Sequence, residues 1–279
     1  MFDTLILYFK TYPVVSYATA VLILVSLCSA LLGVVLVLKR FSMIGDGLSH
    51  VAFGGTAIAT VTGFAPTYIA LPVTVVAAVL LLRLKENSRI KGDAAIAMIA
   101  TGALAIGYIL LNLFPENTTS ITGDACTALF GSASIIGISL SDVIVCAVLA
   151  VILLAVFIIF YNKIFAVTFD ESFASASGTK VGIYNTFLAA ITGAVIVIAM
   201  NMVGALLISA LITFPALSAM RIFKTFKRVV VCSAIISVAC AICGTLVCIV
   251  LSTPVGPTIA VANLIVFIIF SIIGMVKSR

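Results

Sequence analysis

The chain has 279 residues, of which 64% are hydrophobic and only 9% charged, and its mean hydropathy is +1.40. Soluble domains carry about a quarter charged residues, so the composition excludes an ordinary soluble enzyme or binding module and points to an integral membrane protein. The net charge of +6 does not indicate nucleic acid, because the basic residues sit in short breaks between apolar runs, where inner membrane loops carry them.

In chain order, residues 1–13 mix Phe2, Leu5, Ile6, Leu7 and Phe9 with Asp3 and Lys10, a composition expected of a short interfacial segment. Nine apolar spans follow, over about 14–38, 44–63, 66–82, 93–113, 140–161, 183–200, 204–220, 229–251 and 257–276, together forming one transmembrane domain over 1–279. The first is too long for a signal-peptide core and has no basic segment before it, so it reads as a retained helix. With the amino terminus outside and the carboxyl terminus inside, the inner breaks hold Lys39 and Arg40; Arg83, Lys85, Arg89 and Lys91; Lys163 and Lys180; Arg221, Lys224, Lys227 and Arg228; and Lys277 and Arg279. Only Lys10 of the 15 basic residues is then left outside, as the positive-inside rule requires.

Two breaks stand out. Residues 114–139, outside, contain Glu116, Asp124 and the small-residue run Phe130-Gly-Ser-Ala-Ser, and suit an extracellular or re-entrant piece held in protein-lined space. Their Asn117-Thr-Thr119 triplet matches a glycosylation sequon, a pattern common by chance. Residues 165–182, inside, predict a short helix capped by Thr168, carrying Asp170 and Glu171 in its first turn and ended by Gly178. Phe169 and Phe173, four apart, would be exposed there, as a partner surface or as a face lying on lipid.

Pro215 falls inside the seventh span and predicts a kink, with small residues around it favouring tight packing. Asn201, in the short break Met200-Asn-Met-Val, is a candidate lining residue for an outer opening, or an ordinary turn residue. Seven cysteines fall almost entirely within apolar spans. The lone Cys240-x-x-Cys243 has no second pair, and small buried hydrophobes account for it better than a metal or redox role.

The most chemically informative stretch opens the second span: Ser42-Met-Ile-Gly-Asp-Gly-Leu-Ser-His50. His50 is the only histidine, and Asp46 lies four positions before it, one helical turn away on the same face. Ionisable residues within a bilayer are costly and mark substrate or ion pathways. A carboxylate and an imidazole stacked in this way suit a borderline divalent ion such as zinc or manganese. The other reading makes Asp46 a helix cap near the inner surface and His50 a hydrogen-bonded packing residue.

These residues resemble the membrane permease subunit of bacterial zinc/manganese ABC importers. Lys39-Arg-Phe-Ser-Met-Ile-Gly-Asp-Gly-Leu-Ser-His50 is similar to the family's basic pair and G-D-x-L-x-H pattern, and Asp170-Glu-Ser-Phe-Ala-Ser-Ala-Ser-Gly178 to its cytoplasmic coupling segment. Val203 to Pro215 and Thr253-Pro-Val-Gly-Pro257 resemble two further family stretches, in the same order along the chain. The resemblance implies an all-α permease fold related to the vitamin B12/siderophore importers, in a multi-pass protein of the cytoplasmic membrane. It implies a homodimer, a cytoplasmic ATPase docked at Phe169, Asp170, Glu171, Phe173 and Gly178, an extracellular metal-binding protein, and Asp46 and His50 contacting metal. No permanently bound cofactor is expected; Zn²⁺, then Mn²⁺, would be cargo. Gly47, between Asp46 and Leu48, departs from the pattern and would loosen the first turn of the span.

A two-fold axis beside the Asp46/His50 face would supply the four ligands that a tetrahedral zinc site takes, two carboxylates also neutralising the ion. The chain has no Walker A run, so ATP hydrolysis belongs to another polypeptide. The rival expectation is a stand-alone ion-coupled carrier, which would scatter more ionisable residues through its spans. An intramembrane metalloprotease lacks its second histidine.

Overall fold

The computed structural model describes residues 13–84, 92–114 and 138–277. The amino-terminal interfacial segment and most of the 114–139 segment therefore lie outside the described residues. Among those described, every regular element is an α-helix. They are α1 (Pro13–Leu38), α2 (Ile44–Thr62), α3 (Pro66–Leu84), α4 (Gly92–Leu113), α5 (Leu140–Ile159), α6 (Tyr161–Phe169), α7 (Glu171–Ala176), α8 (Val181–Val203), α9 (Ala205–Ile222), α10 (Phe226–Leu251) and α11 (Val255–Lys277).

Seven of these, α1, α4, α5, α8, α9, α10 and α11, are long and apolar enough to cross a membrane; α3 is apolar over the shorter Pro66–Leu82. α2 is long enough at 19 residues, but Asp46, His50, four glycines and three threonines lower its hydropathy. Its threonine hydroxyls at 56, 60 and 62 turn back to donate to carbonyls of the preceding turn, at 2.7, 2.9 and 2.8 Å. α2 is instead enclosed by protein, packed on α3, α4, α8 and α9 with most of its residues buried.

Burial sorts the helices into inner and outer. More than half of the apolar stretch of α1, α8 and α9 is buried, against 11% for α11, which therefore presents Val261, Leu264, Ile265, Ile268 and Ile272 outward. Apolar exposure carries no hydrophobic penalty against lipid, so helix association must come from close packing and polar contacts. Both are present. Ser237 donates to the Ser26 carbonyl at 2.9 Å between α10 and α1. At the α1–α9 crossing Gly33 lies directly on the Ile212 backbone, and a Cβ there would overlap the Ile212 carbonyl oxygen. Gly33→Ala is expected to destabilise the fold by about 1–3 kcal/mol, read as a lower unfolding midpoint in detergent; an unchanged midpoint would show that the crossing can relax.

One break moves. α8 continues through Asn201 to Val203, and the chain turns at Gly204, with φ 91° and ψ 156°. A single asparagine does not stop a helix within protein, whereas this backbone conformation favours a residue without Cβ. Asn201 is thus a half-buried residue in the last turn of α8. Pro215 lies within α9 and is buried; its missing N–H removes one rung of the helix ladder. Among the described residues, cysteines 28, 146, 232, 240, 243 and 248 are free; Cys240 is buried and Cys243 exposed.

Candidate metal site

The connection from α1 to α2 positions the site. Arg40 takes a left-handed conformation (φ 64°), with its N–H bonded to the Val37 carbonyl and the Phe41 N–H to the Leu36 carbonyl at 2.8 Å. This is a Schellman stop with arginine where glycine is usual, sealed by the buried Phe41 against the last turn of α1. The Ile44 N–H then bonds back to Phe41, and the Thr213 hydroxyl of α9 donates to the Ser42 carbonyl at 3.3 Å. The turn is therefore held from both sides before α2 begins.

α2 opens at Ile44, its cap residue Met43 offering no side-chain bond, and Asp46 sits in the first turn, where the positive end of the helix dipole favours a carboxylate. Asp46 Oδ2 stands 3.7 Å from His50 Nε2. That is longer than a hydrogen bond but within reach of two donors sharing one ion, each at about 2.0–2.2 Å. The Asp46 side chain is 47% exposed and that of His50 20%, so the pair opens on the flank of the chain rather than into its core. His50 Nδ1 is buried without a hydrogen-bond partner.

Gly47 does not loosen the turn. Its N–H bonds to the Met43 carbonyl at 3.0 Å, and a Cβ there would come within 2.5 Å of Ile96 Cγ2 on α4. Its role is close approach, shared with Gly54 against Ala103 of α4 and Gly55 against Ala70 of α3. Small residues thus draw neighbouring helices onto the helix that carries the ionisable pair. Among the described residues no group of three or more His, Cys, Asp or Glu side chains could hold a metal, so one chain offers two donors here.

Residues 165–182 are built differently from expectation. The cap is Asp170, not Thr168: the Asp170 carboxylate accepts from the Phe173 N–H at 2.9 Å, while Thr168 is buried and donates to the Ile164 carbonyl at 2.6 Å. The extended backbone required of a cap occurs at Asp170, which separates α6 from α7. Gly178 (φ 83°) ends α7, the Thr179 N–H bonding to the Ala174 carbonyl across it. Phe169 and Phe173 therefore sit on different helices. Phe173 is 68% exposed; Phe169 is also exposed but rests against Phe165 and Phe226, at centroid distances of 4.8 and 6.1 Å. Tyr161, Phe165 and Phe169 form a column at helical spacing around buried Phe226, an i, i+4, i+8 signal visible in the sequence but overlooked.

Glu171 turns inward. Its Oε1 is 2.8 Å from Lys39 Nζ, which also donates to Asn185 Oδ1 at 2.6 Å, and Asn185 Nδ2 reaches Glu171 at 3.3 Å. Of the basic pair, Lys39 is thus buried and engaged while Arg40 is exposed and shapes the turn. Neither Asn185 nor this role for Lys39 was apparent from the sequence; the only signal was a lysine directly after the longest apolar run. Asn201 lies 16 residues beyond Asn185, about 24 Å along α8, and so stands at the far end of the bundle from this cluster. Pro215 lies one turn from Ile212, whose side chain touches Gly45 beside Asp46.

Comparison with known proteins agrees with this architecture. The zinc uptake system membrane protein ZnuB of Haemophilus influenzae is 28% identical over 248 residues, covering 88% of this chain and 92% of that protein. The manganese import system permease protein ScaB of Streptococcus gordonii is 26% identical over 247 residues, 88% of this chain and 86% of that protein. Among solved structures, PsaBC from Streptococcus pneumoniae in complex with Fab superposes with a TM-score of 0.83 at 25% identity, covering 97% of this chain and 95% of that one. The ABC 3 transport family matches residues 11–274. The resemblance drawn from the four sequence stretches therefore holds: this multi-pass membrane chain belongs to the ABC 3 transport family.

Proposed function

We propose that the chain is the permease subunit of an ATP-driven importer that carries a divalent transition metal, zinc first and manganese next, across the cytoplasmic membrane by alternating access. The observation that carries this reading is the Asp46/His50 donor pair, 3.7 Å apart on α2, which packs on four other helices, in a chain of a transport family. Two copies related by a two-fold axis would provide two carboxylates and two imidazoles, a set that suits tetrahedral zinc and that manganese would complete with water. The open Asp46 flank favours a pathway shared between copies.

Nine crossings with the amino terminus outside are supported by the charge distribution. Contacts also tie several basic breaks to one end of the bundle: Lys39 meets Glu171, Lys163 lies 5.7 Å from the Tyr184 ring, and Phe226 packs on Phe165. That end would face the cytoplasm and present Phe173 to an ATPase, while the opposite end would receive metal from an extracellular binding protein.

The test is reconstitution in liposomes with the cognate ATPase. ATP-dependent zinc or manganese uptake, with hydrolysis stimulated by the metal, is expected; uptake driven by a proton gradient without the ATPase would overturn the proposal in favour of an ion-coupled carrier. Competition between the two ions in the same vesicles ranks them.

A further inference from the structure

We infer that Lys39, Glu171 and Asn185 form the link through which α7 moves the donor helix α2, which makes Lys39 a positioning residue for transport. This rests on the function proposed above and adds to it a transmission route within the chain.

α7 is only six residues long, and its one buried residue, Ala174, belongs to a small cluster with Val167 and Val181, apart from the main core. So thin an apolar attachment leaves α7 free to respond to a partner pressing on Phe173. Its other tie to the bundle is polar. Glu171, the first residue of α7, is paired at 2.8 Å with Lys39, whose side chain is 3% exposed. Asn185 of α8 closes the triangle, bonding to both. Lys39 is 3% exposed and Glu171 30%, so withdrawing Glu171 separates a buried ammonium from this carboxylate, and movement of Glu171 must carry Lys39 along or break the cluster.

Lys39 in turn is joined to the site by a stiff path. It follows the last residue of α1 and precedes Asp46 by seven positions. The intervening chain is fixed by the Phe41-to-Leu36, Arg40-to-Val37 and Ile44-to-Phe41 backbone bonds and by the Thr213 bond to Ser42. Displacement of the Lys39 end therefore reaches Asp46 and His50 as rotation or translation of the start of α2, rather than being absorbed by a flexible loop. Bistable elements that two sites both bias are what physical coupling requires.

The experiment uses the reconstituted permease–ATPase complex and reads metal imported per ATP hydrolysed. The double variant Lys39→Met/Glu171→Met removes both charges together and so avoids leaving one buried and unpaired. In complexes that retain the ATPase, the ratio is expected to fall at least about fivefold with this variant; the charge-swapped variant Lys39→Glu/Glu171→Lys is expected to restore most of it. A wild-type ratio in the double variant would overturn the inference and reduce the cluster to a structural ion pair. Should the double variant not assemble, Asn185→Leu keeps both charges, and an unchanged ratio there overturns the inference equally. A wild-type complex that imports no metal with ATP refutes instead the function on which the inference rests.

Discussion

His50→Ala is expected to lower metal uptake by at least about 100-fold, with the chain still assembled in the membrane, and Asp46→Ala is expected to do the same. The two roles open to this residue differ in what its removal does to stability. A histidine that served packing by hydrogen bonding would destabilise the fold when truncated. Here Nδ1 is buried with no partner, and Nε2 lies 3.7 Å from Asp46, too far for a firm bond. Truncation therefore removes packing but no firm hydrogen bond, while a two-fold site would lose both imidazoles and keep only carboxylates, a set suited to harder ions. The checking measurement is metal accumulated in vesicles containing equal amounts of assembled protein. Uptake at the wild-type level by both variants would leave Asp46 and His50 as structural residues only.

Phe173→Ser is expected to weaken attachment of the ATPase by about 30-fold or more, the loss associated with truncating a central aromatic anchor in a protein interface. Phe173 is 68% exposed on a helix whose fold does not depend on it, because Asp170 caps α7 through the Phe173 backbone N–H and not its ring. The substitution thus changes the surface and spares the cap. Phe169 is the informative contrast: its ring packs on Phe165 and Phe226, so changing it disturbs the bundle as well as the surface. Co-sedimentation of the ATPase with membranes decides the matter. Full retention with Phe173→Ser would place this face against lipid instead.

Asp46 and His50 stand out in the sequence because the single histidine lies four residues from a carboxylate at the start of an apolar run, and the structure places the two side chains 3.7 Å apart. The nine apolar runs likewise announced their helices, and the helix ends differ from those runs by only a few residues. Gly178 was legible too, since a glycine after a short polar helix is a common stop. The cap at Asp170 was not, because Thr168 and Asp170 are both competent caps and only the backbone decides which is used. Here it bends at Asp170 after α6 has buried Thr168.

What the sequence by itself determined is the class of solvent, the helical content and the identity of the ionisable pair. These follow from local composition and from spacing along the chain, where the bilayer forces every backbone group into a helix. What only the tertiary structure decided is which residues meet. Glu171 and Asn185 lie 132 and 146 positions beyond Lys39, yet the three form one cluster in which Lys39 and Asn185 are buried. The glycines of α2 gain their meaning from Ile96, Ala103 and Ala70 on other helices. No periodicity encodes such encounters, because they depend on how helices pack against one another, and in lipid that packing is set by small residues and polar contacts rather than by hydrophobic pattern.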